Sequence, residues 1–202
     1  MMEKDFVTIG LNALSIESDA LVVAREAIDP KEFERAVIAL AKAERIAAAG
    51  CGHSGIACQH FTHLMCCIER PARFISPAEA VHGAMGYLQK GDVILLVSRG
   101  GKTDELLPIG RIAKQRGATV IGVTENLQSP LAELSDIVLK MAVTRECDRY
   151  NCQGTTSFVV TGAIFDALQT ALVEYTEFQN EEFAVIHPAG AVGKRLNQTE
   201  EG

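Results

Sequence analysis

Three short stretches of this chain set glycine or hydroxyl residues beside groups that can carry charge: Gly50-Cys51-Gly52-His53-Ser54-Gly55, Ser98-Arg99-Gly100-Gly101-Lys102-Thr103 and Thr155-Thr156-Ser157. Glycine lets a backbone approach a ligand closely, and the first N–H groups of a helix point outward at the positive end of its dipole, so such turns suit phosphate. Ser54, Ser98, Thr103, Thr155 and Ser157 add hydroxyl donors. The plain alternative is that each hydroxyl caps a helix, which Ser and Thr do routinely. Three such stretches together favour an anion site over three independent caps. The spacing does not make the G-x-x-x-x-G-K-[ST] of a Walker loop. Gly50, Gly52 and Gly55 do satisfy G-x-G-x-x-G, which keeps a nucleotide cofactor among the readings on this motif alone.

Acid–base chemistry could fall to Glu105, Glu146 and His187. Taken singly, either glutamate reads equally as a solvated helix or loop residue. His82, between Val81 and Gly83, reads as a capping or packing residue, and Pro188 fixes the loop that carries His187. A metal site from His53, His82 and His187 has poor support in the spacing, and no metal is expected. Cys51, Cys58, Cys66, Cys67, Cys147 and Cys152 form none of the C-x-x-C pairs of structural zinc and read as reduced thiols. Cys51 is expected to pack rather than to act as a nucleophile.

Alternating elements must hold these residues in place. Apolar residues at helical spacing predict helices over 11–27 and 33–43, with Asp29-Pro30 as stop and restart. Short apolar runs at 45–49 and 92–97 each meet a glycine turn and then a helical stretch, 56–68 and 104–116 respectively. Further strands are predicted at 73–75, 119–124 and 137–141, and the last long helix runs from Thr155 to Val173. Strand–turn–helix alternation of this kind makes a parallel sheet with helices on both faces and places ligands outside the carboxyl ends of the strands.

At 202 residues the chain fits one domain, and 48% hydrophobic with 22% charged residues is ordinary for a folded enzyme. A net charge of −7 argues against a nucleic-acid groove but leaves room for a small anion held by local donors. No start combines a basic segment, an apolar run and a cleavage site, and no apolar run reads as long enough to cross a bilayer. Cytoplasm is the expected location, with no membrane or nucleic-acid partner.

With Gly50 to Gly55, Glu79-Ala80-Val81-His82-Gly83, Ser98 to Glu105 and His187-Pro188-Ala189-Gly190 in this order, the chain resembles the arabinose-5-phosphate isomerases of the sugar-isomerase (SIS) family from about Ala36 to Leu196. The resemblance implies a single domain over 1–202. It is an α/β three-layer sandwich, flavodoxin-like, with a five-stranded parallel sheet; a helical segment over 1–35 precedes the core at 36–196. It implies an isomerase that interconverts an aldose phosphate and its ketose phosphate through an enediolate, with no cofactor. It also implies a short form without the C-terminal pair of regulatory (CBS) modules. A homodimer or homotetramer is expected, built on the apolar N-terminal helices.

Carried over by position, the resemblance gives Ser54, Ser98, Thr103, Thr155 and Ser157 to the sugar phosphate and makes Glu146 the base. A glutamate can shuttle the proton where burial lifts a carboxylate towards neutrality. His187 would assist ring opening, Glu105 would orient a partner or share the transfer, and His82 would touch the sugar from a neighbouring subunit. His53 stands where the family carries lysine, and Gly100 and Lys102 stand where it usually has serine and glutamate. Lys102 is therefore expected to supply the cation that His53 does not. Ala84 and Ala189 also depart from the pattern, which points to a different sugar or a rearranged pocket. The alternative reading is a non-catalytic sugar-phosphate sensor on the same domain.

Overall fold

A computed structural model describes residues 5–197, so both ends of the expected 1–202 domain lie outside the described residues. Asp5 accepts the N–H of Thr8 at 3.0 Å and starts α1 (Phe6–Ala27) ahead of the predicted Leu11. Asp29 caps α2 (Pro30–Lys42), as Asp29-Pro30 predicts. There follow β1 (Ile46–Gly50), α3 (His53–Cys66), β2 (Ala72–Phe74), α4 (Pro77–Ala80), a 3₁₀ turn (Ala84–Tyr87), β3 (Val93–Val97) and α5 (Leu106–Gln115). The chain continues through β4 (Thr119–Thr124), α6 (Pro130–Leu134), β5 (Ile137–Lys140), α7 (Thr156–Thr176), α8 (Asn180–Ile186) and α9 (Gly190–Asn197).

All five strands are parallel, in the order β2-β1-β3-β4-β5, with Gly50 opposite Val97. The runs IAAAG and VILLV are apolar at every position because β1 and β3 are buried on both faces. Ala48, Leu95, Val97 and Ile121 pack under α1, α2, α3 and α7; Ala47, Ala49, Ile94 and Leu96 pack under α5 and α6. Phe61 and Phe165, with ring centroids 4.9 Å apart, join α3 to α7 on the first face. Burying each ring contributes about 1.5–3 kcal/mol. From β1 the chain turns outward to β2 and then returns past β1 to β3. The carboxyl ends of β1 and β3 therefore flank the point where the winding reverses.

Several expectations are corrected. α3 starts at His53 rather than at Ile56, and α5 starts at Leu106, so Lys102 and Thr103 lie in the turn before that helix. None of the three hydroxyl-bearing helix starts uses its hydroxyl as a side-chain cap. Four short helices escape the periodicity reading, although Ser76-Pro77 and Ser129-Pro130 are helix-start signals and Ser129 does cap α6. α2 runs through position 35/36 and brings Ala36, Val37 and Leu40 into the core. Contrary to the expectation that no segment could span a bilayer, α1 and α7 are both long and apolar enough to do so. For α7 the core accounts for its apolarity. α1 is mostly exposed, yet it carries Glu17 and Asp19 in its middle, which hydrocarbon disfavours.

Candidate functional site

The first glycine turn is compact because a side chain cannot fit in it. A Cβ on Gly50 would sit 2.8 Å from the Ser54 backbone, and one on Gly55 would sit 2.6 Å from the Gly50 carbonyl oxygen. This close approach seats the start of α3 on the end of β1. In the second turn the Ser98 and Thr103 hydroxyls lie 2.8 Å apart, and the Gly101 N–H donates to Ser98 Oγ at 3.1 Å. The third stretch closes on the first: His53, Ser54, Arg99, Ser157, Phe158 and Thr161 line one small recess.

Glu146, in the loop between β5 and α7 and almost wholly buried, bonds two of these lining residues, Arg99 and Ser157. Arg99 Nη1 donates to its Oε1 at 2.6 Å, while Oε2 accepts the Ser157 N–H at 3.1 Å and the Thr155 hydroxyl at 3.3 Å. The Thr155 hydroxyl also accepts the Cys147 N–H at 3.0 Å, and the Glu146 N–H donates to Asn151 Oδ1 at 2.7 Å. The loop is thus fixed from within. Next to it, Cys147 Sγ lies 3.2 Å from Thr156 Oγ1 and donates to the Ala13 carbonyl of α1 at 3.4 Å, so the N-terminal helix rests on the segment that carries Glu146.

Glu105 is placed quite differently. It is exposed at the N-terminus of α5 and faces a second, open recess shared with Gly50, Cys51, Gly52, Ser76 and Pro77. That cavity, about 390 Å³, is of the size that holds a small ligand. Burial, and then the charge of Glu105, raise the Cys51 thiol above its ordinary value. A protonated thiol at neutral pH agrees with a packing role for Cys51 rather than a nucleophilic one.

His53 lines the first, small recess. Its ring meets Phe158 edge-on at 6.2 Å between centroids, and a Cβ on Gly154 would come within 3.0 Å of its Nδ1. The residue is exposed, and its imidazole on a one-carbon stem reaches less far than a lysine would. Lys102 is exposed, and among the described residues it makes no side-chain hydrogen bond or ion pair. His82 is exposed in the turn after α4.

His187 does not join the others within one protomer. α7 is 21 residues long, about 30 Å, and its first turn borders His53 while Val173 and Glu174 border Cys67 and Ile68 at the far end of α3. Phe183 of α8 lines that far groove, and its ring centroid lies 5.0 Å from that of His187. Most of the length of α7 therefore separates His187 from Glu146. The His187 Nδ1 atom is buried without a hydrogen-bond partner among the described residues.

Sequence reasoning singled out neither Arg99 nor Gly154. Arg99 was visible as a cation inside a glycine turn; Gly154 gave no local signal, since its role depends on where α3 places His53. Among the described residues no three metal-ligating side chains converge.

The chain matches the SIS domain over residues 39–171, a span that contains both glycine turns, Glu105, Glu146 and most of α7. The chain belongs to the SIS domain family. Its similarity to other proteins is extensive. It is 34% identical over 192 residues to an arabinose 5-phosphate isomerase of Pseudomonas aeruginosa, covering 95% of this chain and 59% of that protein. It therefore spans less than two thirds of the curated relatives it first matches. Among solved SIS structures, a candidate sugar-phosphate isomerase from Listeria monocytogenes superposes with a TM-score of 0.90 at 38% identity, covering 94% of this chain and all of that one. An Escherichia coli CFT073 protein solved in complex with arabinose 5-phosphate superposes at 0.86 with 27% identity, covering 93% of this chain and all of that one.

Proposed function

We propose that this SIS domain is a phosphosugar isomerase that interconverts an aldose phosphate and its ketose phosphate, of the arabinose 5-phosphate/ribulose 5-phosphate type. One observation carries the reading: two glycine turns and the start of α7 meet at the point of sheet reversal, where Arg99 and Ser157 hold a buried carboxylate. The names of the relatives, and the arabinose 5-phosphate bound by the Escherichia coli protein, support the substrate class.

In this reading the phosphate rests on the unpaired N–H groups at the start of α3 and on the Ser54, Ser98, Thr103 and Ser157 hydroxyls, while Thr155, whose hydroxyl is engaged with Glu146 and Cys147, serves the site by holding that carboxylate. Lys102 and His53 complete the cradle. Once the ring has opened, Glu146 takes the proton next to the carbonyl and returns it to the neighbouring carbon, while Glu105 orients the sugar hydroxyls from the open side. His187 assists ring opening and His82 contacts the sugar.

Both histidines reach the site from other copies of the chain, so the working form is a homodimer or homotetramer. The remoteness of His187 from Glu146 supports this, as do the exposed Phe6, Val7, Ile9, Leu11 and Leu14 along α1. Residues 1–202 act as one unit with a core at 36–196. The six free thiols favour a reducing compartment, the cytoplasm.

The decisive test is proton exchange in heavy water across a panel of pentose and hexose phosphates, with Glu146→Gln alongside. Loss of the C1 or C2 proton signal for one sugar, abolished in the variant, is the expected result. Saturable binding without exchange would make the protein a sugar-phosphate sensor, a reading that the histidine at position 53 favours.

A further inference from the structure

Arg99 has no role in the scheme above, yet three elements of the site meet on it. Its carbonyl accepts the Thr124 hydroxyl at 3.0 Å and the Glu125 N–H at 2.9 Å, which ties the second glycine turn to the end of β4. Its guanidinium donates to Glu125 Oε2 at 2.9 Å, to Glu146 Oε1 at 2.6 Å and to the Val143 carbonyl at 3.4 Å. Glu125 Oε1 accepts the Val143 N–H at 3.3 Å and closes the ring of contacts. A planar fork of donors fits several acceptors at fixed angles, whereas an ammonium is a single compact charge.

The two members of the central pair differ in exposure. The Glu146 side chain is 2% exposed and that of Arg99 is 35% exposed. Ser157 and Thr155 hold Oε2, and Arg99 is the group that holds Oε1. A carboxylate this deeply buried depends on its partner, because removing one member of a buried pair strands the other.

We propose that Arg99 is the positioning residue for Glu146. The guanidinium, itself kept in plane by Glu125, sets the direction of Oε1 and with it the gap across which the carboxylate meets a bound sugar phosphate. The catalytic consequence rests on the isomerase reading; the structural one rests on the ion-pair geometry alone.

The test uses Arg99→Gln, Arg99→Lys and Arg99→Ala in the full chain, each read twice. In heavy-water exchange, Arg99→Gln lowers the maximal rate about 100-fold while KM stays within about threefold of the parent, the pattern of a misplaced reacting group. Arg99→Lys recovers part of the rate, and millimolar guanidinium ion, but not sodium at equal strength, restores exchange in Arg99→Ala. An unchanged rate in folded Arg99→Gln overturns the proposal, and so does a raised KM at unchanged maximal rate, which would make Arg99 a ligand contact. If the parent chain exchanges no sugar phosphate, the isomerase reading fails by itself, and a crystal structure of Arg99→Gln decides the positioning claim. A Glu146 carboxylate swung away from Ser157 supports it, and an unmoved one sinks it.

Discussion

Glu105 and Glu146 are the same residue type offered for the same chemistry, and the fold treats them in opposite ways. Glu146 is buried, with donors on both oxygens from a guanidinium, a backbone N–H and a hydroxyl. Glu105 stands exposed at the start of α5, beside an open cavity, and its side chain makes no capping bond there. A carboxylate that is held on every side acts with one geometry, whereas one in open water can follow a ligand. The comparison teaches that a family position identifies a residue, while burial and donors decide what that residue is free to do.

The strongest way to break this contrast is Glu146→Gln. It should lower heavy-water exchange by about 10³-fold, within the range of a lost acid–base group. It should also lower the melting temperature, since Arg99 loses its charged partner while remaining one-third exposed. Glu105→Gln sharpens the contrast: exchange should fall by about tenfold, while stability stays within about 0.5 kcal/mol because no buried contact is lost. Equal melting temperatures for the two variants would remove the distinction drawn here.

Gly154→Ala tests the seat of His53 in the small recess. Its new Cβ would press on His53 Nδ1 at 3.0 Å, and isothermal titration should show sugar-phosphate affinity reduced by about tenfold, roughly 1.4 kcal/mol. Unchanged affinity would mean that the ring gives way freely. The smallest effect belongs to Lys102→Ala, which should weaken binding by about threefold and make it less sensitive to salt, as befits an exposed cation. Affinity that does not change would show that His53 has no substitute at the second turn.

Much of the fold is legible in the sequence for physical reasons. Short, continuous, β-branched apolar runs such as VILLV, closed by turn residues, read as strands covered on both faces, and the glycine turns mark their carboxyl ends. The short helices are less legible, because four to eight residues give too few turns for periodicity to show; capping residues such as Ser129 and the Gln179–Glu182 box carry the signal instead. At the site, the hydroxyls could be named from their positions after the strands. The use of each could not, since the Thr155 hydroxyl bridges Cys147 and Glu146, a pairing set by how a loop folds back on itself. Arg99 escaped attention for the same reason: its partners lie 26 and 47 residues away.

The distance between Glu146 and His187 in one protomer also has a genetic meaning. If each working site draws these two residues from different copies, a chain lacking one and a chain lacking the other are not equivalent failures. Co-expressed, Glu146→Gln and His187→Ala chains would assemble some sites with both intact residues, and two inactive alleles would complement each other. In a mixed population, either defective chain would also spoil sites assembled with normal partners, so that a recessive loss at the level of one chain becomes partly dominant at the level of the assembly.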